Sequence, residues 1–219
     1  MIDTLLRFLH KLFDLKHLNE NFLIPYGNLT YAILFFIIFA ETGFVVTPFL
    51  PGDSLLFAVG AITAWENPPL DLMTVIVLLS LAGVIGNTIN YRIGYFIGPK
   101  IFEQEKIRFI KKEYLVKTHA FYEKHGAKAV ILSRFLPIFR TFVPFVAGIG
   151  QMEWKKFMLY NVIGGVSWVV IGTLAGYVFG NIPWVQEHFE MVLIAIVFIT
   201  VLPTLIGIAS EFLSARKKQ

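Results

Sequence analysis

Long apolar stretches alternate with short polar ones along this chain. Four apolar runs, at roughly 31–50, 73–89, 157–180 and 190–210, approach the ~20 residues that a membrane-spanning helix needs. Hydrophobic residues make up 56% of the 219 residues, and a soluble domain of that composition would expose too much apolar surface to stay in solution. The pattern predicts an all-α integral membrane protein in which one membrane domain fills the chain.

Two of the apolar stretches are broken. Residues 41–62 read ETGFVVTPFLPGDSLLFAVGAI, and residues 133–148 read SRFLPIFRTFVPFVAG. Non-helical backbone is tolerated at membrane depth only where protein or water covers it, so each stretch is predicted to be a re-entrant hairpin. Pro144 in particular suits the first turn of a new half-helix. The residues expected to break the helices are Pro48, Pro51, Gly52, Pro137 and Pro144.

The order of segments in 1–98 recurs in 99–180. Each half has an amphipathic helix (1–24 and 99–128), a broken segment and a glycine-rich spanning helix, and a C-terminal helix with a basic tail follows in 181–219. Two short echoes support a repeat: PFLPG at 48–52 with PFVAG at 144–148, and GYFIG at 94–98 with GYVFG at 176–180. Inverted repeats with broken helices are a common transporter construction, and we expect one here.

Small and amide residues mark both glycine-rich helices. In the first helix their spacing favours close packing and interhelical hydrogen bonds over contact with a substrate, and in the second the glycines are spaced in multiples of about one turn. They are Gly83, Gly86, Asn87, Asn90 and Gly94 in the first helix, and Gly165, Gly172, Gly176 and Gly180 in the second.

The basic residues indicate an orientation in the membrane. Loops 66–71 and 181–188 contain no Lys or Arg, whereas 99–128, Lys155-Lys156 and the C-terminal tail are basic. The positive-inside rule therefore puts the two loops outside and the basic segments, with the C-terminus, in the cytoplasm. The second hairpin then enters from the cytoplasm and the first from outside. The alternative is that 31–65 crosses once.

Four charged residues in the broken segments carry the candidate chemistry: Glu41, Asp53, Arg134 and Arg140. Each costs roughly 2.5–3.5 kcal/mol at a helix centre, so each needs a partner or water. In a functional interpretation the arginines bind a phosphate group, while desolvated carboxylates with raised pKa values carry protons. In a structural interpretation the four form salt bridges that hold the hairpins together.

Other chemistries have little support in the sequence. The net charge of +4 is explained by topology and anionic lipids, and no basic stripe with stacking aromatic residues predicts nucleic-acid binding. Cysteine is absent, and no P-loop, HExxH or hydrolase signature occurs. Neither an enzyme nor a metal or other cofactor is predicted.

Three motifs resemble the DedA family, part of the larger VTT (SNARE-associated Golgi protein) group. They are ETGFVVTPFLPGDSLLF (41–57), FYEKHGAKAVILSRFLPIFRTFVPFVAG (121–148) and YNVIGGVSWV (160–169). The resemblance implies an inner-membrane protein with two opposed re-entrant hairpins that translocates lipids, undecaprenyl phosphate in some members and phospholipids in others. By this resemblance the family's functional acids map to Glu41 and Asp53, and its functional arginines map to Arg134 and Arg140. Asn87 departs from the pattern, since several members have an acid there.

These observations favour a multi-pass inner-membrane transporter of a phosphate-bearing lipid. Arg134 and Arg140 would hold the phosphate, and Glu41 and Asp53 would gate by protonation, with protons or sodium as coupling ion. Two alternatives stay open, a coupled transporter of a small soluble ion and a membrane scaffold that transports nothing. The oligomeric state, including a homo-oligomer, also stays open.

Overall fold

The computed structural model describes residues 27–44, 52–103, 126–188, 191–192 and 195. All regular structure in this part of the chain is helical, which confirms the predicted all-α class for the described residues. Two 3-10 turns, Gly126–Lys128 and Ser133–Phe135, flank α4. The helices are α1 (Gly27–Gly43), α2 (Gly52–Ile62), α3 (Leu72–Glu103), α4 (Ala129–Leu132), α5 (Pro137–Ile149), α6 (Trp154–Gly180) and α7 (Pro183–Glu187).

Several predicted features fall outside the described residues. They are the amphipathic helix at 1–24, most of the interfacial helix at 99–128, nearly all of the C-terminal helix at about 190–212, and two of the predicted helix breakers, Pro48 and Pro51.

Two helices are long and apolar enough to cross a membrane among the residues that the structure describes. They are Leu72–Ile97, within α3, and Trp154–Gly180, which is α6. At 1.5 Å per residue, the 26 and 27 residues of these spans extend about 40 Å, which exceeds the ~30 Å hydrocarbon core of a bilayer. The predictions at 72–98 and up to Gly180 are confirmed as apolar helices of membrane-spanning length.

The remaining apolar segments form shorter helices. The first apolar stretch is divided, because α1 ends at Gly43 and α2 begins at Gly52. The 11 residues of α2 and the 13 of α5 extend only about 16 and 20 Å. Neither helix is long enough to cross the hydrocarbon core.

The second broken segment changes direction at Leu136, whose backbone is extended (φ −119°, ψ 107°). A residue that precedes proline is disfavoured in the α conformation, and Pro137 occupies the first turn of α5, where its missing N–H is not needed. Pro144 lies inside α5, so the predicted helix start at Pro144 is wrong. The buried stretch around Pro144 keeps α5 helical despite the proline.

The chain forms two compact units, each built from segments that are distant in sequence. The first comprises Met1–Leu34, Asp53–Leu78 and Ile171–Gln219, and the second comprises Phe35–Gly52 and Leu79–Val170. The division of the chain at 98 and 180 into repeats remains a prediction.

In the first unit, α2 packs against α6 through backbone. A Cβ atom on Gly60 would lie 2.0 Å from the carbonyl oxygen of Thr173, and a Cβ on Gly176 would lie 2.0 Å from that of Phe57. Gly60 thus contacts the residue three positions before Gly176, and Gly176 contacts the residue three positions before Gly60. Only glycine allows backbones to approach so closely.

In the second unit, α5 packs against α3 in the same reciprocal way. A Cβ on Gly94 would lie 2.1 Å from the oxygen of Phe145, and a Cβ on Gly148 would lie 2.1 Å from that of Tyr91. The spacing of three residues is the same as in the first unit. By this contact Gly148 corresponds to Gly60, whereas the sequence echo paired Gly148 with Gly52.

The start of α3 is capped in the first unit. Asp71 accepts hydrogen bonds through Oδ2 from the backbone N–H and the hydroxyl of Thr74, both at 2.7 Å. These bonds lower the pKa of Asp71, the side-chain bond being the larger cause. The backbone N–H of Asp71 donates to the hydroxyl oxygen of Tyr31 at 2.7 Å, which ties this cap to α1.

The core of the second unit is partly aromatic. Tyr91 stacks on Phe157 with ring centroids 4.2 Å apart, and its hydroxyl donates to the carbonyl oxygen of Met152. At the edge of this cluster the guanidinium of the exposed Arg92 lies 4.3 Å from the ring centroid of Trp154. These contacts join α3 to the start of α6.

Candidate functional site

Three charged side chains are buried in the second unit. Glu41 at the end of α1, Arg134 in the 3-10 turn after α4, and Arg140 in α5 are 2, 0 and 4% exposed. No other charged residue in the described part of the chain is buried to this degree. Three of the four predicted site residues are therefore in one unit.

Arg140 and Glu41 form a buried ion pair. Nη1 of Arg140 donates to Oε1 of Glu41 at 2.8 Å, across 99 positions of sequence. The carboxylate also lies against Gly52, the first residue of α2, where a Cβ atom would come within 1.8 Å of Oε2. Gly52 is thus needed for the position of Glu41, in addition to starting a helix.

The hydrogen-bond acceptors of Arg134 among the described residues are neutral. Its Nη2 donates to the carbonyl oxygen of Gly83 at 2.8 Å and to Oδ1 of Asn161 at 3.2 Å. Because a guanidinium has only donors, we assign the amide oxygen of Asn87 to the position that faces it, 2.9 Å from Nη2 and 3.2 Å from Nε. Among the described residues no carboxylate forms an ion pair with Arg134.

One guanidinium nitrogen of Arg134, Nη1, lacks a hydrogen-bond acceptor among the described residues. This nitrogen is itself buried. Two glycines make room for this guanidinium: a Cβ on Gly165 would lie 3.3 Å from Nη2, and a Cβ on Gly83 would lie 3.6 Å from Nη1. A buried polar donor without an acceptor is costly, so Nη1 is suited to an incoming acceptor.

Trp168 on α6 contacts both arginines. The Cζ atoms of Arg134 and Arg140 lie 5.6 and 4.7 Å from the centroid of its ring, within the range of a cation–π interaction. The indole is itself buried, with 3% exposed. It provides a rigid surface that fixes both guanidiniums without neutralising their charge.

Other buried polar groups lie in the same unit. Asn90 donates through Nδ2 to the carbonyl oxygens of Thr42 and Thr141, at 3.3 and 2.8 Å. The hydroxyls of Ser80 and Thr141 and the amide oxygen of Asn90 are buried and have no partner among the described residues. Such groups suit a site that binds a polar ligand or water.

Asp53 belongs to the first unit. It lies in the first turn of α2 and is half-buried. Of the predicted helix breakers, Gly52 begins α2, Pro137 begins α5, and Pro144 breaks nothing.

Two residues of the site were not predicted to be part of it, Asn161 and Trp168. A signal for them was present in the sequence. In the motif YNVIGGVSWV the asparagine, the glycine pair and the tryptophan are spaced by about one helical turn each, which places them on one face of α6.

Chemically, this arrangement can hold an anion. A buried guanidinium with neutral neighbours and a free donor is a preformed partner for a phosphate or carboxylate oxygen. Among the described residues no group of three or more His, Asp or Glu side chains could hold a metal ion.

Comparison with known proteins identifies the family. Residues 50–178 match the model of the VTT domain. The chain is 49% identical to Protein DedA of Escherichia coli K12 over 192 residues, covering 88% of this chain and 87% of that protein. It is 40% identical over 191 residues to an uncharacterized membrane protein of Mycobacterium tuberculosis H37Rv, covering 87% and 84%.

A more distant relative is the inner membrane protein YqjA of Escherichia coli K12, 29% identical over 192 residues that cover 88% of this chain and 86% of that protein. No solved structure matches the chain. The domain match and the identity to DedA over most of the sequence together show that this chain is a membrane protein of the DedA family, with a VTT domain.

Proposed function

We propose that the protein transports a phosphate-bearing lipid, undecaprenyl phosphate or a glycerophospholipid, across the inner membrane. Arg134 and Arg140 bind the phosphate of the headgroup while the acyl or prenyl chains remain in the bilayer. The name of the relative YqjA, an inner membrane protein, supports the choice of membrane.

The observation that carries this proposal is the surroundings of Arg134. A fully buried cation with no ion-pair partner among the described residues costs several kcal/mol. In the resting protein neutral acceptors and the ring of Trp168 offset only part of that cost, and a bound anion would offset more of it. The unsatisfied Nη1 adds a donor for the same anion, and arginine is the side chain best matched to phosphate.

The short helices support a route for the headgroup. We propose that α1 with α2, and the segment from α4 to α5, are two re-entrant hairpins of an inverted repeat. Helices of 11 and 13 residues reach about halfway through a bilayer. Within each unit, two glycines contact one another's helices with the same spacing of three residues. This likeness is expected if each unit combines the hairpin of one repeat with the spanning helix of the other.

Coupling to protons would use the ion pair. A phosphate that binds Arg140 competes with Glu41 for the same guanidinium, and the displaced carboxylate, desolvated in the core, would take up a proton. Asp53, half-buried at the start of α2, is the second candidate carrier. Sodium is the alternative coupling ion.

The test uses the full chain in phosphatidylcholine vesicles that contain a trace of fluorescent phosphatidylglycerol or phosphatidylethanolamine. Translocation is followed by the loss of fluorescence when a membrane-impermeant reductant is added. Arg134→Met leaves an unbranched apolar side chain, shorter than that of arginine, and removes the charge, so it should fold and lose transport. Arg92→Ala is the matched control, an exposed arginine of the same unit, and should transport like the wild type.

Two outcomes would overturn the proposal. One is transport by Arg134→Met at the rate of the wild type. The other is transport of a fluorescent glucosylceramide, which lacks phosphate, as fast as that of the phospholipids. Proton coupling is tested separately, by imposing a pH gradient on the same vesicles with and without sodium.

A membrane scaffold is the second candidate, and the Glu41–Arg140 pair favours it. A buried ion pair at 2.8 Å serves an architectural role whether or not anything is transported. Vesicles with folded wild-type protein that move no phosphate lipid, polyprenyl phosphate included, would support the scaffold.

A further inference from the structure

We propose that Thr141 and Asn90 form a second binding element beside the buried arginines, which binds hydroxyl groups of the lipid headgroup. The substrate is then a glycerophospholipid whose headgroup extends beyond the phosphate and carries hydroxyls without further charge, as a glycerol headgroup does. This inference rests on the proposed function, because it names the class of lipid that the same site takes.

The first observation is the hydroxyl of Thr141. A threonine inside a helix commonly donates its hydroxyl hydrogen to a carbonyl oxygen one turn before, as Thr42 and Thr88 do at 2.8 and 2.7 Å. Thr141 lies inside α5 and is 1% exposed, yet its hydroxyl has no hydrogen-bond partner among the described residues. Because a buried hydroxyl without a partner is costly, a ligand that hydrogen-bonds to it gains that free energy.

The second observation is the amide of Asn90, which is fixed in one orientation. Its Nδ2 donates to the carbonyl oxygens of Thr42 and Thr141, at 3.3 and 2.8 Å, so both of its N–H groups are used. Its Oδ1 is buried and has no partner in the part of the chain that the structure describes. An amide oxygen only accepts hydrogen bonds, and an ionised phosphodiester has no donor to offer it. The ligand group that binds Oδ1 must therefore carry an O–H or N–H.

Both groups lie close to the proposed phosphate site. Asn90 bonds to the carbonyl groups of the residues that directly follow Glu41 and Arg140, the two members of the ion pair. Along α3 it lies three residues beyond Asn87, which faces Arg134, and this spacing is a rise of about 4.5 Å. All of these residues belong to the second unit. A short headgroup reaches from a phosphate at the guanidiniums to Asn90 and its neighbour.

Charge favours hydroxyls over an ammonium group as the donor. The buried charges of Arg134, Arg140 and Glu41 sum to one positive charge, which a phosphodiester with one negative charge balances. An ethanolamine headgroup would add a cation to an interior where an unbalanced charge is costly. A glycerol headgroup offers O–H donors to Asn90 and Thr141 and adds no charge.

The experiment compares two short-chain lipids by calorimetric titration of the full chain in mild detergent. Dihexanoyl phosphatidylglycerol carries two headgroup hydroxyls, and dihexanoyl phosphatidylpropanol is the same phosphodiester without them. The wild type should bind the glycerol lipid roughly 5- to 30-fold more tightly, which is the effect of one or two hydrogen bonds. Equal affinities of the wild type for the two lipids would overturn the inference.

Thr141→Val separates binding from stability. Valine has nearly the shape of threonine and leaves the backbone carbonyl group to which Asn90 bonds, so mainly the hydroxyl is lost. The preference for the glycerol lipid should fall by at least about threefold. The midpoint of thermal unfolding should stay the same or rise, because a buried hydroxyl without a partner is removed. Thr141→Ser keeps a hydroxyl and should keep the preference, whereas an unchanged preference in Thr141→Val would contradict the assignment.

Thr173→Val is the matched control. Thr173 is also fully buried in a helix and has a hydroxyl without a partner among the described residues, but it belongs to the first unit. Its replacement should leave the ratio of the two affinities within about twofold of the wild type. An equal loss of preference in both valine variants would show an effect of packing and overturn the inference. If Thr141→Val is not recovered folded, Thr141→Ala should show the same loss of preference.

Two more ligands separate this inference from the proposed function. Dodecyl phosphate has no polar group beyond its phosphate, and Thr141→Val should bind it within about twofold of the wild type. A wild type that binds dodecyl phosphate but does not distinguish the two lipids overturns the inference alone, and one that binds none of the three and moves no phosphate lipid in vesicles overturns both. Glycerophosphoglycerol, the same headgroup without acyl chains, should bind at least about tenfold more weakly than the lipid. Equal binding would assign the hydroxyls to a soluble phosphodiester and overturn the lipid as substrate.

Discussion

Replacing Gly94 by alanine tests how strictly the contact between α3 and α5 fixes the second unit. The new Cβ would lie 2.1 Å from the carbonyl oxygen of Phe145, whereas ordinary contact begins at 3.4 Å. The difference requires the two helices to separate locally by about 1.3 Å. The atom in the way belongs to helix backbone, so no side-chain rotation relieves the clash.

The magnitude follows from a comparison with Gly83→Ala in the same helix. Alanine gains up to ~1 kcal/mol over glycine in a helix interior, and both variants share this gain. A Cβ on Gly83 meets its nearest atom at 3.6 Å, so it adds no strain. Overpacking of a rigid interior costs about 1–3 kcal/mol. Gly94→Ala should therefore be about 1–3 kcal/mol less stable than Gly83→Ala.

The assay is reversible unfolding in mixed micelles of a mild detergent and dodecyl sulfate, followed by tryptophan fluorescence. The two alanine variants are measured side by side with the wild type, so that the helix-propensity gain cancels. If Gly94→Ala proved as stable as Gly83→Ala, the two helices would not be held at this distance, and the packing argument would be refuted.

Three further variants test single contacts. Asp71→Ala removes the cap of α3. Bonds from Thr74 lower the pKa of Asp71 from its ordinary value of 3.8. The stability that the cap contributes should therefore be fully present above pH 3.8 and be lost as the pH falls through the lowered pKa. Unfolding measured over a pH series should show this loss in the wild type and not in the variant. Gly52→Ala should displace the carboxylate of Glu41, because the new Cβ would lie 1.8 Å from its Oε2. Transport should fall at least about tenfold, which corresponds to roughly 1.4 kcal/mol. Unchanged transport would contradict the contact. Trp168→Leu should weaken the binding of dodecyl phosphate, measured calorimetrically, by roughly 3- to 30-fold, because the cation–π interactions contribute about 0.5–2 kcal/mol. An unchanged affinity would show that the indole does not contribute to binding.

In the part of the chain that the structure describes, the local pattern was enough to predict the two long helices and the break before α5. The apolar periods at 72–98 and up to Gly180 are continuous, and each became one long helix. The second break was predicted in the right segment, but the helix that follows it begins at Pro137 and not at Pro144. Pro144 lies in a buried stretch of α5 whose packing keeps the helix intact, and packing of that kind is not visible in the local sequence.

Pairing across the chain was much less predictable. The cost of burying charge indicated that Glu41, Arg134 and Arg140 need partners, and they do lie in one unit. Arg140 pairs with an acid 99 positions away, whereas Arg134 is held by amides and a carbonyl oxygen. Composition and spacing do not distinguish these two solutions, because both satisfy a buried guanidinium.

The interleaved units have a consequence for biogenesis. Gly60 and its contact residue Thr173 are separated by 113 positions, and at 5–20 residues per second a ribosome needs roughly 6–23 s to synthesise that interval. During this time α2 is already made while the surface that it will cover on α6 does not yet exist. The nascent chain must therefore be shielded, by the insertion machinery or by lipid, until α6 has been synthesised. Amino-terminal fragments that stop before α6 should be recognised by membrane quality control as unassembled.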